Sequence, residues 1–326
     1  PARLENFIPK GFNDWIIIDE IQRVPQLLNE IHRLIETRHF HFVLTGSNAR
    51  KLREKGQNLL AGRALTYYMH PLTTIELGSD FDLDHSLTFG QLPSLNIEPN
   101  PKKYLESYVK TYLQEEIQQE GLTRNIAAFA RFLETASFSQ GSVLNVSEIA
   151  REASVERKVV ENYFAILEDL LIGYRVGVFS KKAKRRLVYH KKLYFFDVGI
   201  YRTIRPMGPL DMPQMAEGAA YESLFFQELL AINDYYNLGY KLFYFRTATG
   251  HEVDFIAYGK RGIKAFEIKR TGKISSSMLA GLKIFLKDYP DAQAFFVYGG
   301  KRRMRDGAIE IVPIQDMLHQ LVDFLS

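Results

Sequence analysis

The chain has 326 residues, 46% of them hydrophobic and 25% charged, which is enough for two or three folded domains and excludes a disordered chain. It has no cysteine, which excludes disulfides, thiolate zinc sites and cysteine nucleophiles, and favours the reducing cytoplasm. A net charge of +4 does not by itself indicate nucleic acid, and no apolar run reaches the roughly eighteen residues of a membrane span, so we expect no membrane partner.

The first elements predict a parallel α/β arrangement. Their apolar patterns indicate a strand, a helix and a second strand, at 15–18, 24–35 and 40–44. Asp19 and Glu20 follow the first strand, and Ser47 closely follows the second. Because ligands of open α/β sheets bind outside the carboxyl ends of the strands, we expect a ligand site at these three residues.

An apolar strand followed by Asp-Glu suits nucleotide hydrolysis. The first acid, Asp19, can reach Mg²⁺ through water, and Glu20 can orient or deprotonate the attacking water. Ser47 lies where it can sense a γ-phosphate, and Arg63 lies where an arginine can act on the transferred phosphate. Acting across a subunit interface, Arg63 would require a homo-oligomer, whereas acting in cis it would not. The alternative is that Asp19 and Glu20 only end a strand and begin a helix.

The middle of the chain predicts helices followed by a β-ribbon. Prolines punctuate an irregular segment at about 73–101, so we predict a domain boundary near residue 100. Apolar stripes then predict helices over 104–117 and 125–135, a helix beginning at the cap Asn145, and one capped by Ser154, before a strand at 174–179. Helix, turn, helix and β-ribbon is the order of a winged helix.

Basic residues crowd the stretch that follows this ribbon. Long basic side chains on a wing neutralise phosphates without choosing a sequence, and the start of the predicted recognition helix can add contacts. The predicted nucleic-acid-binding residues, with DNA as the favoured partner, are Arg157, Lys158, Lys181, Lys182, Lys184, Arg185 and Arg186; Lys191 and Lys192 extend the stretch. A solvated loop or a protein-docking face is the alternative.

The remainder, from 191, predicts a second α/β domain. Its strands are expected at 193–196, 242–246, 253–258, 263–268 and 294–298, and its helices at 219–232 and 276–287. Strand alternation puts Glu267 and Lys269 on one face, where Asp254 from the neighbouring strand and Glu222 from the preceding helix can join them. The carboxylates would hold Mg²⁺ or Mn²⁺, and Lys269 would activate water beside a scissile phosphate. The alternative is a surface salt bridge between residues two apart on a strand.

The segments Ile16–Pro25, Leu44–Ser47 and Leu60–Ala64 together resemble a widespread prokaryotic family of AAA+-like (ASCE) ATPases. The resemblance extends over nearly the whole chain and implies an ATP site in which Asp19 and Glu20 are the Walker B acids, Ser47 or its neighbours the sensor, and Arg63 an arginine finger. A GxxxxGK(S/T) loop should precede Asp19, yet none occurs. The chain is therefore expected to be truncated, as its start at Pro1 suggests, or to be a degenerate ATPase.

The segments His251–Phe255 and Phe266–Arg270 resemble the PD-(D/E)XK nuclease superfamily. The resemblance implies catalytic roles for Asp254, Glu267 and Lys269 and a metal-binding role for Glu222, although the superfamily includes inactive members.

The expected fold is α/β and multi-domain. It comprises a partial P-loop-NTPase-like parallel sheet over 1–100, a helical and winged-helix middle over 101–190, and a restriction-endonuclease-like α/β domain over 191–326. The expected function is an ATP-hydrolysing ATPase joined to a nucleic-acid-binding, metal-dependent nuclease. Two alternatives are a regulatory or scaffolding ATPase whose nuclease-like domain is inactive and only binds nucleic acid or protein, and a transcription factor that uses only the winged helix.

Overall fold

The computed structural model describes residues 4–46, 64–112, 117, 125–181, 190–208 and 213–326. By its internal contacts the chain divides into two compact units, the first Pro1–Thr66 with Ala165–Ile172 and the second Tyr67–Phe164 with Gly173–Ser326. Within the described ranges, no helix is both long enough and apolar enough to cross a membrane.

The first unit is built on a pair of parallel strands. Its elements are β1 (Trp15–Ile18), α1 (Leu27–Arg38) and β2 (His41–Leu44). The register pairs Ile16 with Phe42 and Ile18 with Leu44. Helix α1 packs its apolar side on one face of this pair, where Ile31 is fully buried against Ile18 and Leu44. The predicted strand, helix and strand are confirmed, with the helix beginning three residues later than its apolar pattern.

The second unit combines many helices with one large sheet, so the described chain is α/β. Its helices are α2 (Thr74–Leu77), α3 (Leu83–Phe89), α4 (Pro101–Ser107), α5 (Ile126–Ser137), α6 (Val146–Glu152), α7 (Arg157–Asp169), α8 (Val198–Ile204), α9 (Pro213–Tyr235), α10 (Ala280–Asp288), α11 (Ile314–His319) and α12 (Leu321–Leu325). Helix α7 extends from this unit into the residues grouped with the first unit.

Short capped helices occupy the stretch 73–101, which the sequence pattern predicted to be irregular. Thr73 and Glu76 form a reciprocal capping box at α2, and the Asp82 carboxylate accepts a hydrogen bond from the His85 amide at α3. These helices have only four and seven residues, too few for an apolar period to show in the sequence. By contrast, the predicted cap at Asn145 is confirmed, because its side chain accepts from the Glu148 amide.

The sheet of the second unit has eight strands in the order β4-β3-β5-β6-β7-β8-β10-β9. They are β3 (Gly173–Val178), β4 (Lys192–Phe195), β5 (Lys241–Arg246), β6 (Glu252–Gly259), β7 (Gly262–Lys269), β8 (Gln293–Tyr298), β9 (Met304–Asp306) and β10 (Ile309–Pro313). Strands β5, β6 and β7 are antiparallel neighbours, while β8 lies parallel to β7 after the α10 crossover. The six strands predicted in this region are confirmed to within one residue, whereas β9 and β10 were not predicted.

The β-ribbon β3–β4 is part of this sheet. Strand β3 pairs antiparallel with β4 and parallel with β5, where Gly177 lies opposite Phe243. The two strands on either side of the predicted boundary near residue 190 are therefore hydrogen-bonded to each other. This pairing carries Lys192, the first residue of β4, into the same sheet as β6 and β7.

Helices cover both faces of the sheet. Helix α9 and the C-terminal helices pack on one face, where Phe225 and Phe266 have their ring centroids 5.1 Å apart. Helix α10 packs on the other face, where Phe285 lies 5.1 Å from Phe245. Each of these fully buried aromatic side chains contributes roughly 1.5–3 kcal/mol through removal of its apolar surface from water. The core on the first face fixes α9 relative to the strand pair β6–β7, and the core on the second face fixes α10 relative to the same strands.

A buried polar network joins residues 70–91 to α8 and α9. Glu228 of α9 accepts hydrogen bonds from the Thr74 amide at 2.7 Å, the Thr74 hydroxyl at 2.6 Å and the Gln91 side chain at 3.2 Å. Asp197 accepts from the Gln91 amide at 2.8 Å and caps α8. Burial raises the pKa of Glu228 to about 7 and that of Asp197 to about 6, against the hydrogen bonds that lower both.

We expect Glu228→Gln to flatten the pH dependence of stability. A carboxyl whose folded pKa is raised stabilises the fold when protonated, and this contribution is lost as pH rises from about 4.5 through about 7. Losing it costs about 3 kcal/mol, since one pKa unit corresponds to about 1.4 kcal/mol. The amide keeps an acceptor for Thr74 and cannot ionise. Urea unfolding at pH 5 and pH 8 should therefore show a smaller stability difference for the variant than for the parent.

Circular dichroism is the suitable signal, because the single tryptophan, Trp15, lies in the other unit. Glu310→Gln is the matched control, since Glu310 is a half-exposed carboxylate paired with Arg305 at 2.8 Å. It should retain the parental difference between the two pH values. If Glu228→Gln shows the same difference in unfolding free energy between pH 5 and pH 8 as the parent, the raised pKa of Glu228 is not the source of that difference.

Candidate functional site

Asp19 and Glu20 lie at the carboxyl end of β1, as predicted. The Thr45 hydroxyl, directly after β2, donates to the Asp19 carboxylate, and the Thr45 amide donates to the Ile18 carbonyl at 2.9 Å. Glu20 adopts a left-handed backbone with φ 52°, and its carboxylate accepts from the Gln22 side chain at 2.9 Å. The parallel register thus places one acid against the end of the neighbouring strand. Ser47 and Arg63, predicted as sensor and arginine finger, lie outside the described residues.

The four residues predicted for the C-terminal site include three that the structure brings into direct contact. The Lys269 ammonium lies 2.6 Å from the Glu267 carboxylate and 3.3 Å from that of Asp254. The Ile268 amide donates to the Asp254 carboxylate at 2.8 Å. Glu222 enters from α9, and its carboxylate accepts a hydrogen bond from the Tyr194 hydroxyl at 3.4 Å. We call Glu222, Glu252, Asp254, Glu267, Lys192 and Lys269 the acid–lysine cluster.

The strand register explains why the acids meet. Antiparallel pairing of Phe255 with Phe266 places Asp254 directly opposite Glu267 on the neighbouring strand. Both side chains are almost fully buried, at 3% and 6% exposure. Like charges directly opposite each other destabilise a strand pair, and burial strengthens the repulsion. The cluster therefore needs cations, and the ammonium of Lys269 is one.

Lys192 supplies a second cation that the sequence pattern did not assign to this site. It was grouped with the basic wing, but it is 1% exposed. Its ammonium forms an ion pair with Glu252 and lies 3.9 Å from Asp254. It also lies 5.3 Å from the centroid of the Tyr244 ring. The grouping with the wing was wrong for this residue because the β3–β4 pairing turns it into the interior. The available signal was weak, because Lys192 directly follows Lys191 at the end of the basic stretch and directly precedes an apolar run.

The cluster shifts the pKa of each group according to burial and charge. Burial, followed by the charge of Asp254, raises the pKa of Glu222 to about 8 and that of Glu267 well above its ordinary range. Burial opposes the ammonium form of both lysines, but the surrounding carboxylates outweigh it and raise the pKa of Lys192 and Lys269. Both lysines are consequently held as cations. Glu222 and Glu267 bind protons more readily than ordinary glutamates, so protons compete with cations for these two carboxylates.

The donor set fits a hard divalent cation in its chemistry. Carboxylate oxygens are the ligands that Mg²⁺ and Mn²⁺ prefer, and the Glu267 Oε2 atom is buried without a hydrogen-bond partner among the described residues. Over the same residues, no group of three His, Asp or Glu side chains is arranged so that it could hold a metal ion. At Asp254, both carboxylate oxygens face ammonium groups.

A loop between α5 and α6 closes over Glu222. The Gly141 amide donates to the Leu193 carbonyl of β4 at 2.8 Å. Gly141 has φ +66°, and a Cβ atom there would lie only 2.9 Å from the Glu222 carboxylate. A glycine is thus required where the backbone approaches the acid–lysine cluster.

The predicted nucleic-acid-binding residues are exposed where they are described. Arg157 and Lys158 lie in the first turn of α7, and the Lys181 ammonium lies 4.2 Å from the centroid of the Tyr258 ring. The remaining four, which lie outside the described residues, are Lys182, Lys184, Arg185 and Arg186.

Three family descriptions match consecutive parts of the chain. Residues 2–78 match a family described as AAA domain, residues 81–211 match a domain of unknown function (DUF8612), and residues 217–317 match another (DUF4143). The first match contains β1, β2 and the acids Asp19 and Glu20. The last contains Glu222, Asp254, Glu267 and Lys269.

Curated relatives that the chain resembles include three uncharacterised proteins. Those of Mycobacterium tuberculosis and Mycobacterium bovis are each 25% identical over 301 residues, which is 90% of this chain and 66% of theirs. An uncharacterised Haemophilus influenzae protein is 24% identical over 206 residues, covering 58% of this chain and 52% of that protein. The chain therefore spans just under two thirds of the length of each mycobacterial relative.

A crystal structure of a Vibrio cholerae protein aligns with 97% of this chain and 91% of its own, at 14% identity and a TM-score of 0.27. A score this low carries no argument about the fold.

The AAA match at 2–78, with the acids at the carboxyl end of β1, suggests an AAA-like ATPase of the ATP-binding protein type and is consistent with use of ATP and Mg²⁺.

Proposed function

We propose that this protein joins an ATP-hydrolysing AAA-like unit to a metal-dependent phosphodiesterase unit that cleaves nucleic acid. The observation that carries the second half is the opposition of Asp254 and Glu267 across β6 and β7, with Lys269 in contact with both. Two buried carboxylates and a lysine on adjacent strands are the groups that phosphodiester hydrolysis uses.

Each group has a distinct task in this proposal. Asp254 and Glu267 would hold the metal ion, and Glu222 would complete its surroundings from α9. A bound Mg²⁺ or Mn²⁺ supplies charge stabilisation at the phosphate and lowers the pKa of bound water. Lys269 is the most exposed group of the Asp254–Glu267–Lys269 contact, with a side chain 35% exposed. Its ammonium is thus within reach of solvent and can orient water or contact a phosphate oxygen.

The order of elements around the cluster supports the same proposal. Helix α9 is followed by three antiparallel strands, the crossover helix α10 and a parallel strand. We infer from this order a restriction-endonuclease-like domain, whose acids occupy the centre of the sheet. The topology alone assigns no activity, since one fold hosts both active and inactive proteins.

Nucleic acid as the substrate is supported by exposed basic residues on the helix–turn–helix part of the second unit. Helices α6 and α7 follow each other closely, and Arg157 and Lys158 stand in the first turn of α7. We infer that this part has the role of a winged helix, with β3 and β4 built into the sheet. Arginine and lysine at that position neutralise backbone phosphates and set no sequence preference.

The ATPase half is supported by Asp19, Glu20 and the AAA match. Asp19 would reach Mg²⁺ through water and Glu20 would orient the attacking water. The 326 residues contain no GxxxxGK(S/T) run, so that motif does not supply a cradle for the β- and γ-phosphates within them. Arg63 acting on a neighbouring copy would require a homo-oligomer.

We expect Lys269→Met to reduce Mn²⁺-dependent cleavage of DNA and RNA by about 10²–10⁴-fold, the range for loss of a proton-transfer or charge-stabilising group. The methionine retains the stem and loses the charge. Lys273→Met, an exposed lysine four residues further along the chain, is the control and should cleave at the parental rate. The assay uses labelled single- and double-stranded DNA and RNA with Mn²⁺ or Mg²⁺.

Cleavage that persists in Lys269→Met would contradict the nuclease assignment. If neither the parent nor Lys273→Met cleaves any of the four substrates, the second unit is instead a binding domain and the protein a regulatory or scaffolding ATPase.

We expect Arg157→Ala with Lys158→Ala to weaken binding to DNA of any sequence. Removing one cation that neutralises a phosphate lowers the slope of log affinity against log salt by about 0.9, so the slope of the double variant should fall by up to about 2. Lys260→Ala with Arg261→Ala, the same pair of residue types in the exposed β6–β7 turn, is the matched control. Fluorescence anisotropy between 50 and 200 mM salt, a range suited to such slopes, measures both. If the slope falls equally in the two double variants, α7 is not part of the DNA-binding surface.

We expect Glu20→Gln to reduce Mg²⁺-dependent ATP hydrolysis by about 10²–10⁴-fold, because the amide cannot take a proton from the attacking water. The measurement requires a form of the protein that also carries the phosphate cradle. Asp14→Asn is the control, since Asp14 precedes β1 at its opposite end and accepts from the Trp15 amide at 2.7 Å. Equal rates for Glu20→Gln and the parent would show that Glu20 ends a strand and nothing more.

A further inference from the structure

Lys192 is the one member of the acid–lysine cluster that comes from the edge strand β4. Its side chain is 2% exposed, whereas the side chain of Lys269 is 35% exposed. Three contacts fix its ammonium: the ion pair with Glu252, the approach to Asp254 at 3.9 Å and the Tyr244 ring at 5.3 Å. Of the two lysines, only Lys269 has a side chain exposed enough for its ammonium to move into solvent, whereas the Lys192 ammonium is held in place.

The two lysines also occupy opposite sides of Asp254. Lys192 faces the Oδ1 atom and Lys269 faces the Oδ2 atom. On the Lys269 side lies Glu267, whose Oε2 atom is buried without a hydrogen-bond partner among the described residues. On the Lys192 side the carboxylate of Glu252 is already paired. A carboxylate oxygen without a hydrogen-bond partner among the described residues thus lies on one side of Asp254, and a fixed ammonium group lies on the other.

We propose that Lys192 is a built-in cation that fills one side of the acid cluster, so that this site takes a single divalent ion, on the side of Glu267. This inference rests on the proposed metal-dependent function of the same cluster. Lys192 is a positioning residue here, because it acts through Asp254 and Glu252 and touches no reacting atom.

The charges of the cluster agree with this proposal. Four carboxylates, from Glu222, Glu252, Asp254 and Glu267, face the ammonium groups of Lys192 and Lys269 and the guanidinium of Arg246, which pairs with Glu252 at 3.1 Å. When all of these groups are ionised, the acids outnumber the cations by one. Replacing Lys192 by an uncharged residue raises this excess to two and frees the Oδ1 side of Asp254, so divalent ions should bind more tightly and in greater number.

The test is calorimetric titration of Mn²⁺ into the intact chain carrying Asp19→Asn, a change that removes the acid expected to bind metal in the first unit. Ions that belong to the cluster are those that no longer bind once Glu267→Gln is added. We expect one such equivalent in this background. With Lys192→Met added, we expect at least tenfold tighter binding or a second equivalent, and with Lys192→Arg, which keeps the charge, neither change.

The outcomes separate this proposal from the one on which it rests. One equivalent with unchanged or weaker binding in Lys192→Met overturns the role of Lys192 and leaves the metal-dependent function standing. No Glu267-dependent binding in any form overturns both. If Lys192→Met does not fold, which its thermal melt reports, the stoichiometry of the background protein still decides, because two Glu267-dependent equivalents there would contradict a single-ion site.

Discussion

Buried carboxylates that face each other across two adjacent strands are the constraint on which the second unit depends. Asp254 and Glu267 are opposed by the register of β6 and β7, and both are nearly excluded from solvent. Isolated buried charges of one sign are costly, so cations have to accompany them. Lys269 arrives from the same strand as Glu267, and Lys192 arrives from β4. The need for the Lys192 ammonium ties the edge ribbon β3–β4 to the centre of the sheet. It also explains why a lysine stands in the otherwise apolar, fully buried strand β4.

Helix α9 serves both this cluster and the docking of residues 70–91. Glu222 on its first half contributes to the cluster, and Glu228 less than two turns later accepts three hydrogen bonds from Thr74 and Gln91. Its apolar residues pack on the sheet between these two polar sites. The position of Glu222 is therefore set by one core and one polar network. Polar networks of this kind specify a single arrangement, because a shifted helix would leave buried groups without partners.

In the proposed function, the two units act on different kinds of phosphate compound. Acids at the end of β1 suit the hydrolysis of a nucleotide, and the acid–lysine cluster suits the hydrolysis of a phosphodiester. Both sites place carboxylates where strands of a sheet end or meet, and under the proposal both would use a hard divalent ion. The two sites differ in their surroundings. Glu20 bonds to Gln22, two residues along the chain, and Asp19 bonds to Thr45 at the end of the neighbouring strand. The acid–lysine cluster instead collects residues from α9, β4, β6 and β7.

The sequence by itself determined what is local. Apolar runs located β1, β2 and the strands of the large sheet as far as β8, since a buried strand needs continuous apolar residues whatever lies beside it. Spacing also placed Glu267 and Lys269 on one face, and the cap at Asn145 marked the start of α6. Pairing was decided only in the tertiary structure. It joined β3 to β5, made the predicted wing an edge of the sheet, and turned Lys192 from an expected surface cation into a buried partner of Glu252 and Asp254. The partner of a strand can be many residues away, and a lysine reads the same in the sequence whether its ammonium lies in water or between carboxylates.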